Sequence, residues 1–257
     1  MAVNAADDGG KRVEAVQRSF AVLDVLRESG TVRIDDVAEA LDMPTSTAHV
    51  HLKTLESVGY VVRTEDGYRR GLRFLRDGVA VRDRWDVYRV AKPALDDLAD
   101  ETGEVANLGV EENGRRVILS QSEGSEAVYD NAPIGEFTDM HWTALGKAIL
   151  AERSTDYVDE YVSVRGLPSA TENTITDPDA FREELQTVRD RGYALEDEER
   201  RAGIRSVAVP VTVDGDVVGA ISLSGPRERY DDDRIVNDLL PALRDAANVV
   251  EVKYAYE

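Results

Sequence analysis

The run Met43-Pro-Thr-Ser-Thr-Ala-His-Val-His-Leu-Lys-Thr-Leu-Glu-Ser-Val-Gly-Tyr60 decides how the first third of the chain is read. Pro44 suits a first helical turn, where its missing amide hydrogen costs nothing. Thr45 and Ser46 are short enough to cap the amides left open there. Leu52, Leu55 and Val58 recur at helical spacing and predict a helix over 44–58 with one stripe on a core. Thr45, Ser46, Thr47, His49 and Lys53 lie off that stripe, and the short ones at its start allow close approach to another surface. Gly59 is placed to stop the helix, and Tyr60-Val61-Val62 to begin a strand. Taken alone, the segment reads first as an ordinary surface helix. Its neighbours change that.

Toward the N-terminus, Val13, Val16, Phe20, Leu23 and Leu26 fall three to four residues apart and predict an amphipathic helix over 13–28, ended by Ser29-Gly30. Val32 offers a single strand residue. Ile34, Val37 and Leu41 predict a second helix over 34–41, and Asp42-Met43-Pro44 turns into the third. Helix, helix, short turn, helix is the helix-turn-helix arrangement. Toward the C-terminus, Asp66-Gly67 between the short runs 60–63 and 68–70 predicts a tight hairpin. A hairpin directly after a helix-turn-helix is a wing. Arg63, Arg69 and Arg70 decorate it, with Arg73 and Arg76 following, a charge suited to backbone phosphates. The competing reading is a solvated hairpin in a chain that uses arginine in place of lysine; three preceding helices favour DNA. Residues 72–85 read as a thin helix with Leu72, Leu75, Val79 and Val81 apolar, too slight for a domain and best taken as a linker.

The remainder mixes helices and strands. A helix is expected over 90–103, with Pro93 in its first turn, followed by a hairpin of 105–111 and 116–121. A loop holding His141 and Trp142 enters a helix over 143–151, and another helix runs from Pro178 to a stop at Gly192. Strands 206–213 and 216–223 meet at Asp214-Gly215, and a long helix over 231–252, with a kink expected at Pro241, closes the chain. The fold class is α+β. The expected division is a disordered tail (1–10), a winged helix-turn-helix domain (11–71), a linker helix (72–86), and a second domain with an antiparallel sheet (87–257).

Composition bounds the function. A length of 257 residues suits two domains, and 42% hydrophobic residues suffice for real cores. There is no cysteine, so no disulfide, thiolate site or cysteine nucleophile. No apolar run is long enough to span a bilayer and no signal pattern opens the chain, so a cytoplasmic protein without membrane contact is expected. The net charge of −20 argues against nucleic acid until it is divided: residues 1–85 carry −1 and residues 86–257 carry −19. Only 5 of the 31 basic residues are lysine, and aspartate is abundant. That balance suggests a halophilic protein, whose self-repulsion is screened within about 3 Å at 1 M salt.

Catalysis has no support. His49 and His51 are two apart on a helix and cannot share a metal. No phosphate-binding glycine loop or zinc motif is present. His141 reads as a packed or loop histidine, and the acidic run Glu196-Asp-Glu-Glu199 as solvated surface. No cofactor and no metal are expected. A binding pocket is better supported. The N-terminus of the helix after Thr143 presents free amides to a small anion, and Ser222 and Ser224 project from one face of a strand. Equally, Thr143 is a helix cap and Ser222-Leu-Ser-Gly225 a strand end; the residues alone leave both open.

Taken together, these segments resemble the IclR family of transcriptional regulators over nearly everything after residue 12. Ser46-Thr-Ala-His49 with Leu52, Leu55 and Gly59-Tyr60 is similar to the family's recognition helix, and Gly71-Leu-Arg-Phe-Leu75 to the start of its linker helix. Thr102-Gly-Glu104, His141-Trp-Thr-Ala-Leu-Gly-Lys-Ala148, Gly192-Tyr-Ala-Leu-Glu-Asp-Glu-Glu199, Gly203-Ile-Arg-Ser-Val-Ala-Val-Pro210 and Gly219-Ala-Ile-Ser-Leu-Ser-Gly-Pro226 follow in the family's order. The resemblance implies a GAF-like effector domain and a homodimer or dimer of dimers on a palindromic double-stranded operator. It also implies a small-molecule effector, an organic acid or a sugar or aromatic catabolite. DNA would be met by Thr45, Ser46, Thr47, His49, Lys53, Arg63, Arg69 and Arg70. The effector would be met by Ala144, Leu145, Glu196, Ser206, Ser222 and Ser224. Val50 stands where the family often has arginine, and Glu196 and Ser206 where it often has aspartate and cysteine. Outside the resemblance, a sensor of another family, an enzyme acting on small carboxylates and a winged helix used for protein assembly are the competing readings.

Overall fold

The computed structural model describes residues 10–128 and 132–256. They form two compact units, 10–84 and 85–256, each taken by itself below. The tail expected over 1–10 lies, but for Gly10, outside the described residues.

The first unit contains α1 (Glu14–Ser29), α2 (Ile34–Ala40), α3 (Thr45–Ser57), the hairpin β1 (Val61–Arg63) and β2 (Tyr68–Arg70), and α4 (Arg73–Arg82). Its core joins Val22, Leu23 and Leu26 of α1, Val37 of α2, Ala48, Leu52 and Leu55 of α3, and Val61 and Tyr68 of the hairpin. Each buried leucine contributes about 1.5–3 kcal/mol. Four details differ from expectation. Pro44 precedes α3 as its N-cap, and neither Thr45 nor Ser46 makes a side-chain cap there. Val58 is 44% exposed, because the helix ends at Ser57 and the chain turns at Gly59, so Val61 takes the inward place. On α1 the apolar stripe is buried only in its second half; Val13, Val16 and Phe20 stand in the open. Finally, α4, the expected linker helix, is tied to the wing. Tyr60 Oη donates to Asp77, Arg73 donates to the Val58 carbonyl, and the Arg70 guanidinium lies 4.2 Å from the Phe74 ring. These polar and stacked contacts hold α4 to the wing, while Leu72, Leu75 and Val81 remain exposed.

The second unit is built on a six-stranded antiparallel sheet. After α5 (Asp86–Thr102) come β3 (Val105–Glu112), β4 (Arg115–Glu123), β5 (Phe137–Thr138), α6 (Ala144–Ala151), α7 (Thr155–Arg165), α8 (Pro178–Arg191), β6 (Ala194–Asp197), β7 (Ile204–Val213) and β8 (Asp216–Pro226). The strand order is β5-β4-β3-β8-β7-β6. A one-turn helix α9 (Asp232–Arg234) and a π-helical turn (Ile235–Leu239) lead into α10 (Leu240–Ala255). The kink expected at Pro241 is thus a π-turn just before it, which accommodates the backbone amide that proline lacks. Helix α5 begins at Asp86, earlier than expected, and carries Pro93 in its interior. The strands β5 and β6 and the helix α7 were not foreseen as such.

Alternation along the strands sorts the two faces. Leu108, Val207, Val209, Ile221 and Leu223 point to α5 and α10 and fill a large apolar core. The opposite face is lined by small residues, Ala194, Ala208 and Ala220, beneath α6 and α8. Small side chains let α6 settle close to the sheet. A Cβ on Gly109 would stand 2.9 Å from Leu145 Cδ1, and one on Gly146 only 2.1 Å from the Met140 carbonyl oxygen. These two glycines fix how near the start of α6 comes to the strands. Among the described residues no helix is long and apolar enough to cross a membrane.

Candidate functional site

Two surfaces carry the candidate residues, one in each unit. On α3, Thr45, Ser46, His49 and Lys53 are exposed and Thr47 is half-buried. Lys53 Nζ pairs with Glu56 at 2.9 Å, one turn on, so its charge is partly satisfied before any ligand arrives. Val50, 62% exposed, sits between them with no polar group. His51 turns the other way, and its Nδ1 meets Ser19 Oγ at 2.9 Å, joining α3 to α1. On the wing, Arg63 and Arg69 are exposed. Arg70 is half-buried and occupied by Phe74, so it belongs to the wing–α4 junction as much as to the open surface. At that junction the Tyr60 phenol is held above its ordinary pKa by its bond to Asp77, whose carboxyl is lowered by the same bond.

In the second unit, Ala144, Leu145, Glu196, Ser206, Ser222 and Ser224 all line one cavity between the start of α6 and the small-residue face of the sheet. Its volume is about 30 Å³, room for a water molecule or two and well below the usual range for small-molecule sites. Cross-strand register explains the convergence. Glu196 is paired with Ser206, Ser206 with Ser224, and Ser222 with Asn107, so adjacent strands deliver polar groups side by side. Ser206 Oγ donates to Glu196 Oε2 at 2.5 Å, the Arg200 amide to Glu196 Oε1 at 3.3 Å, and Asn107 Nδ2 to Ser224 Oγ at 3.3 Å. Thr143 caps α6 by accepting from the Gly146 amide at 3.0 Å. The amides of Ala144 and Leu145 open the helix, where the dipole favours an anion.

Glu196 is 2% exposed, and burial raises its carboxyl from 4.5 to about 7, against the opposing pull of Ser206 and Arg200. Behind the cavity wall, Lys147 of α6 is buried and contacts Glu199 at 2.5 Å and Glu184 at 3.4 Å. Thr174 Oγ1 donates to the Glu199 carbonyl at 2.6 Å. The acidic run 196–199 is therefore not solvated surface: two of its carboxyls are buried, one on the cavity and one on a lysine. His141 is buried between the Tyr161 hydroxyl and the Pro168 carbonyl, which its Nε2 meets at 3.0 Å, and burial depresses its pKa. It is a packed residue with no opening to the cavity lining.

Sequence reasoning did not name Asn107, Arg116, Ile118, Ala132 or Arg200, which also line the cavity. For Asn107 a signal existed, an amide alternating with apolar neighbours in Val105-Ala-Asn-Leu108. For Arg116 there was none, because Arg115-Arg116 looks like a hairpin end.

Comparison with known proteins agrees with both units. Residues 15–65 match the IclR helix-turn-helix domain and residues 79–252 match the bacterial transcriptional regulator IclR C-terminal domain. The chain belongs to the IclR family. Among its relatives, the "Probable HTH-type transcriptional regulator ArcR" of Halobacterium salinarum is 32% identical over 255 residues, covering 97% of each chain. The transcriptional repressor IclR of Escherichia coli is 30% identical over 230 residues, covering 87% of this chain and 84% of that one. The IclR structure from Thermotoga maritima superposes with a TM-score of 0.81 at 29% identity, covering 95% of this chain and 100% of that one. An IclR homologue from Microbacterium hydrocarbonoxydans, solved with 4-hydroxybenzoate, gives 0.79 at 26% identity over the same shares. The chain is thus an IclR-family transcriptional regulator with a C-terminal effector-binding domain, and not an enzyme. The α+β class and the order of winged helix, α4 and sheet domain are those of the family.

Proposed function

We propose that this regulator binds a palindromic operator as a homodimer or dimer of dimers in the cytoplasm, and that a small organic acid in the α6 cavity changes its operator affinity. The observation that carries this reading is the convergence of Ala144, Leu145, Glu196, Ser206, Ser222 and Ser224 on one small polar cavity with a helix N-terminus in its wall. A related structure holding 4-hydroxybenzoate supports an acid as the class. For DNA, Thr45, Ser46, Thr47, His49 and Lys53 supply base-edge contacts, and Arg63 and Arg69, with Arg70 in part, supply phosphate contacts. The dimer is supported by apolar side chains left open in the first unit: Val13 just before α1, Val16 and Phe20 on it, and Leu75 and Val79 on α4. Two copies would set two α3 helices one DNA turn apart.

The effector acts by linkage. It shifts the DNA equilibrium only by as much as it prefers one conformation of the protein. Replacing Ser222 and Ser224 together by alanine is expected to leave operator binding within about twofold in gel shifts and to abolish the response to effector. Loss of operator binding in that double variant would count against a sensor cavity separable from the DNA surface.

A further inference from the structure

A cavity of about 30 Å³ holds water but not an organic acid. The polar groups around it are shut in as well: Glu196, Ser206, Ser222 and Ser224 are all buried. An effector can enter only if part of the wall moves. Much of the wall is fixed by packing. Gly109 and Gly146 hold α6 close to its neighbours, and β3, β7 and β8 lie on the large apolar core. The side on β6 is different. That strand is at the edge of the sheet, and its pairing with β7 ends at Asp197 and Arg205. Beyond it, the loop 198–203 brings Arg200 to the cavity.

This loop is held from outside by the strap 166–177, which joins α7 to α8. Thr171 Oγ1 donates to the Glu198 carbonyl at 2.7 Å, and Thr174 Oγ1 to the Glu199 carbonyl at 2.6 Å. Thr174 is buried, and its hydroxyl also accepts from the amides of Ala170 and Thr171 at 3.1 and 2.9 Å, which uses all its capacity. The same strap reaches the opposite wall. The Pro168 carbonyl accepts from His141 Nε2 at 3.0 Å, and Tyr161 Oη accepts from the Met140 and His141 amides, just ahead of the Thr143 cap of α6. Leu167 and Ile175 anchor the strap on the core beneath α6. One segment thus ties together the two walls that must part. Its grip on the loop consists of hydroxyl-to-carbonyl bonds of modest net worth, beside the ion pair of Glu199 with Lys147.

We propose that Thr174 is the latch of the effector cavity: its hydroxyl holds the 198–203 loop closed, and that bond breaks when the loop swings out to admit the effector. The proposal rests on the cavity being the effector site and adds how that site opens. It fixes a sign. Where the binding-competent form is a minor one, apparent affinity is reduced by its fraction. Removing the latch hydroxyl therefore strengthens effector binding, whereas removing a hydroxyl that merely supports the site would weaken it.

The test is hydrogen–deuterium exchange of the full chain without ligand, comparing the parent with Thr174→Val, Thr174→Ser and Thr171→Val. Valine keeps the side-chain shape and removes the donor. In Thr174→Val, exchange is expected to quicken about threefold or more in both walls, 142–146 and 196–204, with β3 and β8 unchanged. Thr174→Ser is expected to restore the parent rates, and Thr171→Val to act in the same sense as Thr174→Val. Calorimetric affinity for benzoate, the probe acid, is expected to rise about three- to tenfold in Thr174→Val. Quickening confined to 170–174 and 198–200 overturns the proposal, since it would mark a local bond. So does quickening that spreads to β3 and β8 in Thr174→Val and is absent from Thr171→Val, which would make the residue a structural one. Weaker benzoate binding overturns it too. The exchange results need no ligand, so their failure leaves the effector reading standing; that reading falls on its own test, the paired serine variant.

Discussion

Glu196 holds a proton in the folded chain that it does not hold when unfolded. Burial raises its carboxyl from 4.5 to about 7. Between those values the folded state is protonated there and the unfolded state is not, so stability falls as pH rises through that window. Above about pH 7 both states are ionised and the loss is complete, at roughly 3 kcal/mol for a shift of this size. Glu196→Gln keeps the shape and removes the titration. Its urea midpoint, compared with that of the parent chain, is expected to improve steadily from pH 4.5 to pH 7.5 and then level off. A difference that stays constant with pH would show that the carboxyl is not held out of solvent. Glu199, on Lys147 just behind it, is also raised by burial, and its charge adds to the shift of Glu196.

At the scale of elements, the wing and α4 behave as one piece. Arg70 over Phe74, Arg73 on the Val58 carbonyl and Tyr60 on Asp77 join the end of α3, the hairpin and α4 within a few residues. Two of the wing arginines, Arg69 and Arg70, should therefore separate by experiment. Arg69→Ala is expected to lower affinity for all DNA sequences and to reduce the salt slope by about one, with little change in melting temperature. Arg70→Ala is expected to lower the melting temperature as well, because it also loosens α4. Filter-binding titrations and thermal melts of the same two proteins decide the matter; identical behaviour of the two variants would refute the division of labour. The helices and the wing were legible because apolar residues repeated at helical spacing in α2 and α3, and because Asp66-Gly67 marks a turn. The attachment of α4 was not, since its anchors are polar and cation–π contacts with no periodic signature. The open stripe on α1 was read as core for a related reason: periodicity shows that a face is apolar, not what covers it. Arg116 escaped notice because a charge at the start of a strand reads as surface, and only the sheet order turns it inward.

For the whole molecule, charge is the feature that sequence and structure share most plainly. A net charge of −20 lies mostly on residues 86–257, the part that carries the sheet. The alternation of that sheet puts its apolar residues inward, so most of the acids, Glu104, Glu196 and Glu199 apart, stand on the surrounding surface and repel one another at low ionic strength. We infer that the chain is built for a salt-rich cytoplasm. Its melting temperature is expected to rise by several degrees as potassium chloride goes from about 0.1 M to about 1 M, where the screening length drops to roughly 3 Å. A flat or falling melting curve over that range would remove the acidic surface as a salt adaptation. The same salt weakens phosphate contacts, which gives a near-neutral first unit and short, uncharged side chains at the start of α3 a clear use.

The segment between α1 and α2 has one more effect. Val32 exchanges two backbone hydrogen bonds with Tyr68, at 2.9 and 2.8 Å, and a Cβ at Gly67 would stand 2.2 Å from the Val32 carbonyl oxygen. The wing is therefore joined by an antiparallel bridge to the segment between α1 and α2, and so clasped to the helix-turn-helix. Its conformational entropy is surrendered when the chain folds and not when the operator is met. On the DNA contacts proposed above, preorganisation of this kind would let the wing arginines and α3 reach the duplex together, each already in place for the other.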